Sequence, residues 1–304
     1  MVVETPSKWW RMLFVFRGTT VRKTWFRLLL TGLWAWGIAH YWDELGLTDL
    51  QITTTPFSLI GVALSIYLGF RNNASYDRYW EARKLWGRLV NASRTWARQV
   101  SLFVDGDDDE GLRRELVERQ IAYTHSLRLH LRAEPDDGNL GRLLGEEAEE
   151  VATFANRPAR IAHETGRILR RAWRGGRVSE YHLPTLEGTL TELLALQGGC
   201  ERIKATPVPW SYVVLTHRIV AVYCFTLPFG LVPSVGEATA FVVTLIAFAF
   251  YGLDAIGEEI EEPFGHDPND LPLSALCNTI EIDLRQALGD EPPAKLQPAH
   301  GLLN

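Results

Sequence analysis

The histidine and acidic residues that could perform catalysis or bind a metal form no known enzyme motif. His125 and His130 are five residues apart, whereas the two zinc-binding histidines of an HExxH helix are four apart. The chain contains no GxGxxG loop, no P-loop and no GxSxG nucleophile motif. The acidic run at 105–110 lacks the glycine, the ligand spacing and the terminal glutamate of an EF-hand, so we interpret it as a solvated loop. We therefore predict that the protein is not an enzyme.

One pair of ionisable residues lies inside an apolar segment. His217 and Arg218 interrupt the stretch 212–232. Ionisable groups within a membrane span usually mark a functional site. A span that begins late in this stretch would instead leave both residues near the membrane interface, and both alternatives stay open.

The apolar segment 56–70 carries two parallel helical stripes, one of small residues and one of bulky apolar residues: Gly61, Ser65 and Gly69; Val62, Ile66 and Phe70. The small stripe would let another helix approach closely. The bulky stripe is compatible with ordinary packing in a helix bundle. It is also compatible with several copies arranged around an axis, where it would form a hydrophobic constriction that gates by dewetting.

Composition limits the class of protein. With 46% hydrophobic and 22% charged residues, the chain of 304 residues is not disordered throughout. A mean hydropathy of −0.06 excludes a chain that is mostly embedded in a membrane, yet it permits a mixture of membrane and aqueous parts. The net charge of −6 argues against nucleic-acid binding. The three cysteines show no CxxC spacing, so we interpret them as reduced and structural.

Four apolar segments could cross a membrane, although each could also be a buried helix of a soluble protein. They lie at 25–42, 56–70, 212–232 and 238–253. The charges of the connecting segments favour membrane crossing. Lys and Arg are concentrated in 1–24 and 71–98, whereas 43–55 and 233–237 contain none. This alternation follows the positive-inside rule, and it predicts two hairpins with both termini in the cytoplasm.

The predicted architecture is all-α, with four transmembrane helices in two hairpins and a helical cytosolic domain. Amphipathic cytosolic helices are predicted at 74–100, 111–132, 140–155, 158–173 and 183–204, and the tail after Gly289 is predicted to be poorly ordered. The corresponding division of the chain has four parts. These are an N-terminal segment with spans 1 and 2, a cytosolic helical region, spans 3 and 4, and a cytosolic C-terminal segment: 1–73, 74–210, 211–257 and 258–304.

Four sequence blocks resemble the bacterial bestrophins. SLIGVALSIYLGFRNNASYDRYWEARKLWG at 58–87 is the most specific of them. GGCERIKATPVP at 198–209, EEPFGHDPNDLPL at 261–273 and FRGT at 16–19 are also similar to that family, and the blocks occur in the family's order.

The resemblance implies a homopentameric ion channel of a bacterial inner membrane, with one axial pore and with membrane lipid and small ions as its other partners. Val62, Ile66 and Phe70 fall on the family's three pore-neck positions, where valine is smaller than the usual isoleucine or phenylalanine. The family also has a cytosolic aperture formed by an apolar residue on the helix before GGCERI. We place it at Leu193, with Leu190 as the alternative.

The resemblance also identifies candidate Ca²⁺ positions, because animal members bind Ca²⁺ just after the fourth span. The corresponding residues are Glu259, Glu262, Asp267 and Asp270. His266 and Pro268 interrupt the acidic run, and bacterial relatives are not thought to need Ca²⁺. We therefore expect no required cofactor and interpret these residues as a solvated acidic loop, with a Ca²⁺ site as the alternative.

Ion selectivity is the least determined property. An apolar neck carries no formal charge and discriminates by dehydration cost. The predicted extracellular connections contain only acidic charges, at Asp43, Glu44, Asp49 and Glu237, which favours cations. The family's description favours chloride and other anions, so we predict an anion channel. A monovalent-cation channel and a membrane-anchored helical scaffold that does not conduct remain as alternatives.

Overall fold

The computed structural model describes residues 1, 18–48, 52–104, 110–299 and 301–303. These residues are mostly helical and contain no β-strand. The helices are α1 (Val21–His40), α2 (Thr55–Phe103), α3 (Glu110–Arg132), α4 (Asn139–Leu144), α5 (Glu147–Ala152), α6 (Arg157–Arg174), α7 (Leu183–Ala205), α8 (Trp210–Val235), α9 (Thr239–Glu261) and α10 (Leu273–Ala287). A 3₁₀ turn, Gly236–Ala238, links α8 to α9.

The chain divides into two compact units. One, here called the polar unit, comprises Met1–Glu4, Trp80–Thr206 and Phe264–Asn304. The other, here called the apolar unit, comprises Thr5–Tyr79 and Pro207–Pro263.

The apolar unit is a helix bundle in which α1, α8, α9 and the first part of α2 share one core. Each helix contributes buried residues to it, among them Ala35, Leu68, Cys224 and Ala247. Close approach depends on glycine at particular positions. A Cβ on Gly230 would lie 2.2 Å from the ring of Phe57, so α2 and α8 could not pack this closely with a larger residue.

One helical run among the described residues is long and apolar enough to cross a membrane. It is Trp210–Glu261, which contains α8, the 3₁₀ turn and α9, and its mean hydropathy reaches 1.9 over 18 residues. Pro228 and Pro233 both lie inside α8. The prediction that residues 233–237 form a connecting loop is therefore only partly right, because α8 continues to Val235.

The polar unit is built around α3, which contacts α4, α6, α7 and α10. Trp86 and Trp96 are buried in this unit, and the Trp96 indole donates a hydrogen bond to the Leu116 carbonyl at 3.0 Å. α6 begins where Asn156 accepts a hydrogen bond from the Ala159 amide at 3.1 Å, which is a standard helix N-cap.

Three predicted elements differ from the structure. The apolar segment 56–70 and the predicted helix 74–100 are one continuous helix, α2, because the change from apolar to charged residues does not interrupt backbone hydrogen bonding. The predicted helix 140–155 is split into α4 and α5 at Gly145, which has a positive φ of 58°. The tail after Gly289 is not detached, since the Asp290 carboxylate accepts hydrogen bonds from Arg114 at 2.6 and 3.0 Å.

Candidate functional site

The candidate pore-neck residues form an exposed apolar stripe on α2. Val62, Ile66 and Phe70 are 61%, 56% and 67% exposed. The opposite side of the same helix is buried at Leu64 and Leu68, which belong to the core of the apolar unit. The packing of this unit therefore does not account for the three bulky side chains, which are available to contact lipid, a second copy of the chain or a pore.

The stripe of small residues does not behave as one surface. A Cβ on Gly61 would lie 2.6 Å from the Tyr223 hydroxyl, so glycine is needed there for the approach of α8. Ser65 is exposed and its hydroxyl donates to the Gly61 carbonyl at 2.8 Å, while a Cβ on Gly69 would meet nothing within 4 Å. Within the apolar unit, only the first of the three positions is a close-packing site.

The two residues predicted for the cytosolic aperture are buried within the chain. The Leu193 side chain is 1% exposed and that of Leu190 is also buried, so both contribute to the core of the polar unit, and their role at an aperture stays a prediction. The Tyr123 hydroxyl donates to the Leu193 carbonyl at 2.9 Å, which fixes this face of α7 against α3. The spacing of apolar residues along α7 could have indicated a core face, because buried positions recur every three or four residues through Leu193.

A buried charge network links three helices of the apolar unit. The Arg71 guanidinium on α2 binds the Asp254 carboxylate on α9, and both side chains are almost completely buried. The second oxygen of Asp254 lies 2.7 Å from Nδ1 of His217 on α8. Sequence reasoning identified His217 but not its partners. Asp254 could have been noticed as the acid that ends the apolar segment 238–253.

Arg218 does not belong to this network. It is exposed, whereas the neighbouring His217 is partly buried against Asp254. The two residues that sequence analysis treated as a pair therefore point in different directions. Only His217 takes part in the buried network.

Comparison with known proteins identifies the family. The family described as "Bacterial/Fungal Bestrophin protein" matches residues 1–286. The chain belongs to the bestrophin family. This bestrophin is 41% identical over 301 residues to the voltage-dependent anion channel-forming protein YneE of Salmonella typhi, covering 98% of each chain.

Solved structures agree with this assignment. A crystal structure of a bacterial bestrophin homolog from Klebsiella pneumoniae is 38% identical with a TM-score of 0.82, and the match covers 88% of this chain and 99% of that chain. A crystal structure described as that of a membrane protein is 37% identical with a TM-score of 0.84, covering 88% and 100% of the two chains. Together with the apolar run Trp210–Glu261, these matches support a membrane location for this bestrophin.

The candidate Ca²⁺ positions of this bestrophin take part in contacts within the chain. In the apolar unit, Glu259 is buried and lies 3.6 Å from the Lys23 ammonium. In the polar unit, Asp270 accepts a hydrogen bond from the backbone amide of Asp267 at 2.7 Å. No group of three or more His, Cys, Asp or Glu side chains among the described residues is placed to hold a metal ion. Glu262 is exposed.

Three of the four acids in the predicted extracellular connections can be located. Asp43 and Glu44 are exposed just after α1, and the Thr48 hydroxyl donates to the Asp43 carboxylate at 3.0 Å. Glu237 is exposed in the 3₁₀ turn. Asp49 lies outside the described residues. The described acids are therefore accessible to solvent.

The buried carboxylate of Glu281, in the polar unit of this bestrophin, has basic partners. Nε2 of His125 and Nη2 of Arg142 lie 3.1 and 2.9 Å from the two oxygens of Glu281. Burial alone would raise the pKa of Glu281, but the hydrogen bond from His125 and the charge of Arg142 outweigh it and lower that pKa to about 2. Burial also raises the pKa of Cys277 to about 12, so this thiol stays protonated.

Proposed function

We propose that this bestrophin assembles as a homopentamer and lets chloride and other small monovalent anions flow passively across the membrane. The observation that carries the proposal is the exposed stripe of Val62, Ile66 and Phe70 on a helix whose other side is fully packed. The names of the curated relatives, voltage-dependent anion channel-forming proteins, support the choice of anions.

The proposed neck follows from the physics of narrow apolar pores. One helix cannot enclose a pore, so copies of α2 must surround a common axis with their bulky stripes facing inward. Rings of Val62, Ile66 and Phe70 would then offer no hydrogen bonds to water. A closed neck of this kind excludes water and ions, and outward movement of the side chains or helices would let both enter.

The proposed topology has four spans in two hairpins, with both termini on the cytoplasmic side of a bacterial inner membrane. The alternation of basic and acidic connecting segments supports it. We propose passive flow without a catalytic step and without a required cofactor. The interruption of the acidic run by His266 and Pro268 supports independence from Ca²⁺.

A monovalent-cation channel is the second candidate. The exposed acids Asp43, Glu44 and Glu237 favour it, because carboxylates at a pore entrance concentrate cations. In the anion channel that we propose, these acids would only retain their connecting segments outside the cell. A non-conducting scaffold would bury the apolar stripe in lipid or against another copy and would not need it to line a pore.

The test is the reversal potential of purified protein in a planar bilayer under a KCl gradient. We expect reversal near the chloride equilibrium potential. Reversal near the potassium value would establish the cation channel instead. Absence of current from protein shown to be pentameric would overturn the channel and favour the scaffold.

The neck is tested in the same bilayers by replacing Val62, Ile66 and Phe70 together with alanine. We expect a large rise in open probability, on the order of tenfold or more, because the side chains that exclude water are removed. The matched control truncates three exposed apolar residues of α9, Phe241, Leu245 and Phe248, and should leave conduction unchanged. Equal behaviour of the two triple variants would contradict the neck assignment.

A further inference from the structure

The buried network begins one residue after the proposed neck. Phe70 and Arg71 are adjacent on α2, and adjacent residues of an α-helix point about 100° apart. Phe70 is therefore exposed while Arg71 is 1% exposed and points into the apolar unit. Whatever fixes the direction of the Arg71 side chain also fixes the direction in which Phe70 projects.

Asp254 is the closer of the two carboxylates that pair with Arg71, since a carboxylate oxygen of Glu261 lies 3.9 Å from Nη2 of Arg71. The two carboxylate oxygens of Asp254 are used separately, one by the Arg71 guanidinium and the other by His217. Asp254 thus joins α2 to α9 and α9 to α8 through a single buried side chain. Loss of either charge would leave the other buried without its closest ionic partner, with only Glu261 near Arg71 or His217 near Asp254, which is unfavourable.

Neighbouring contacts hold the same part of α2 against α9. The Asn72 amide donates to the Leu253 carbonyl at 3.0 Å, and Nε of Arg78 donates to the Glu261 carbonyl at 3.2 Å. A Cβ on Gly257 would lie 2.2 Å from Oδ1 of Asn72, so the glycine permits this approach. The position of α2 in the residues that follow Phe70 is therefore determined by several polar contacts and not by apolar packing alone.

Such contacts are sensitive to rotation of the helix. Turning α2 by about 30° would carry a guanidinium about 6 Å from the axis through about 3 Å, which exceeds the tolerance of a hydrogen bond. A single apolar contact is less directional, although close packing at Gly61 also limits rotation of α2. The ion pair consequently strengthens the preference for one rotational setting of α2.

We propose that Asp254 is a positioning residue for conduction: through Arg71 it holds α2 in the rotational setting that keeps the Phe70 ring directed at the pore axis. This proposal rests on the proposed function, since it requires that Phe70 lines a neck. In the resting state of the channel, the buried charges would thus help to keep the neck narrow. Loosening the ion pair should therefore favour opening.

The experiment compares Asp254→Asn with wild type in planar bilayers and repeats the comparison in a Phe70→Ala background. Asparagine keeps the shape and an acceptor oxygen but removes the charge closest to Arg71, while the more distant Glu261 is unchanged. We expect open probability to rise on the order of fivefold in the wild-type background, which is a common size for coupling between contacting residues. In the Phe70→Ala background we expect no further rise, because there is no ring left to position.

The matched control is Glu258→Gln, which removes one carboxylate charge from the exposed side of the same helix end. It should leave open probability unchanged in both backgrounds. The melting temperature and the oligomeric state are measured for every variant. A merely structural role of Asp254 would lower the melting temperature yet would change conduction equally with and without Phe70.

The outcomes separate this inference from the proposed function. If Phe70→Ala itself leaves conduction unaltered, the neck is wrong and the positioning role falls with it. If Phe70→Ala opens the channel but Asp254→Asn does not, or acts equally in both backgrounds, only the positioning role is overturned. Should Asp254→Asn not yield folded protein, Asn72→Ala is compared in the same two backgrounds, and it should show the same dependence on Phe70 with a smaller rise.

Discussion

Two helices of this bestrophin carry apolar residues at similar helical spacing but use them in opposite ways. The exposed residues on α2 are Val62, Ile66 and Phe70. The buried residues on α7 are Leu186, Leu190 and Leu193. The α7 residues lie in a unit where α3 and α6 contact the same helix. The exposed α2 residues lie opposite a face that is already packed.

The difference shows that the role of an apolar stripe depends on what the stripe packs against. α7 finds its partners within the chain, so its stripe contributes to the core. The stripe on α2 has no such use in the apolar unit, and burying it requires lipid or further copies of the chain. Truncations on the two helices should therefore separate stability from conduction.

The largest effect on stability is expected for Leu193→Ala. Removing a buried leucine side chain typically costs about 2–5 kcal/mol of unfolding free energy. The measurement is the melting temperature of the purified protein, with Leu194→Ala as the control because Leu194 is 42% exposed on the same helix. A normal melting temperature together with altered conduction would instead support the original aperture assignment.

Much of the helical framework could be predicted from the sequence. The predicted helices 158–173 and 183–204 agree with α6 and α7 to within one residue at each end. Local signals were sufficient there, because Asn156 caps α6, Gly175 follows its last residue, and Pro207 and Pro209 follow α7. The continuity of α2 was missed because hydropathy reports the surroundings of a helix and not its backbone.

The candidate site was predictable only in part. The α2 stripe follows from local spacing, and its role as a neck stays a prediction. The pairing of Arg71 with Asp254 was missed because 183 positions separate them, and no local pattern connects such distant residues. Leu193 was placed at the aperture by resemblance, although the spacing of apolar residues along α7 favours a buried position for it.

A medium effect on stability is expected at the small residues of α2, because Gly61 is closely packed whereas Gly69 is not. Gly61→Ala should lower the unfolding free energy by about 1–3 kcal/mol, because the new methyl group overlaps with Tyr223. The Tyr223 ring cannot move away easily, since it is buried and packs edge-on against Phe250 at 5.3 Å.

Gly69→Ala is the matched control for this overlap. A Cβ there meets nothing within 4 Å, and alanine is the better helix former by about 1 kcal/mol, so the protein should be as stable as wild type or slightly more stable. The measurement is the melting temperature of both variants and of wild type under the same conditions. Destabilisation by Gly69→Ala would indicate that this surface is packed against another copy.

The smallest effect is expected for a substitution of Glu281. It tests whether a buried charge stabilises the polar unit, as the ion pair of Arg71 and Asp254 does in the apolar unit. The pKa of Glu281 is lowered from 4.5 to about 2 in the folded protein, so this carboxylate contributes stability above the unfolded-state value and loses that contribution as the pH falls toward 2. Glu281→Gln should therefore melt below wild type at pH 7, and the difference should narrow by about 2–4 °C between pH 5 and pH 3. If the difference in melting temperature stayed constant with pH, the charge of Glu281 would not contribute to stability. The polar unit would then not depend on this buried charge.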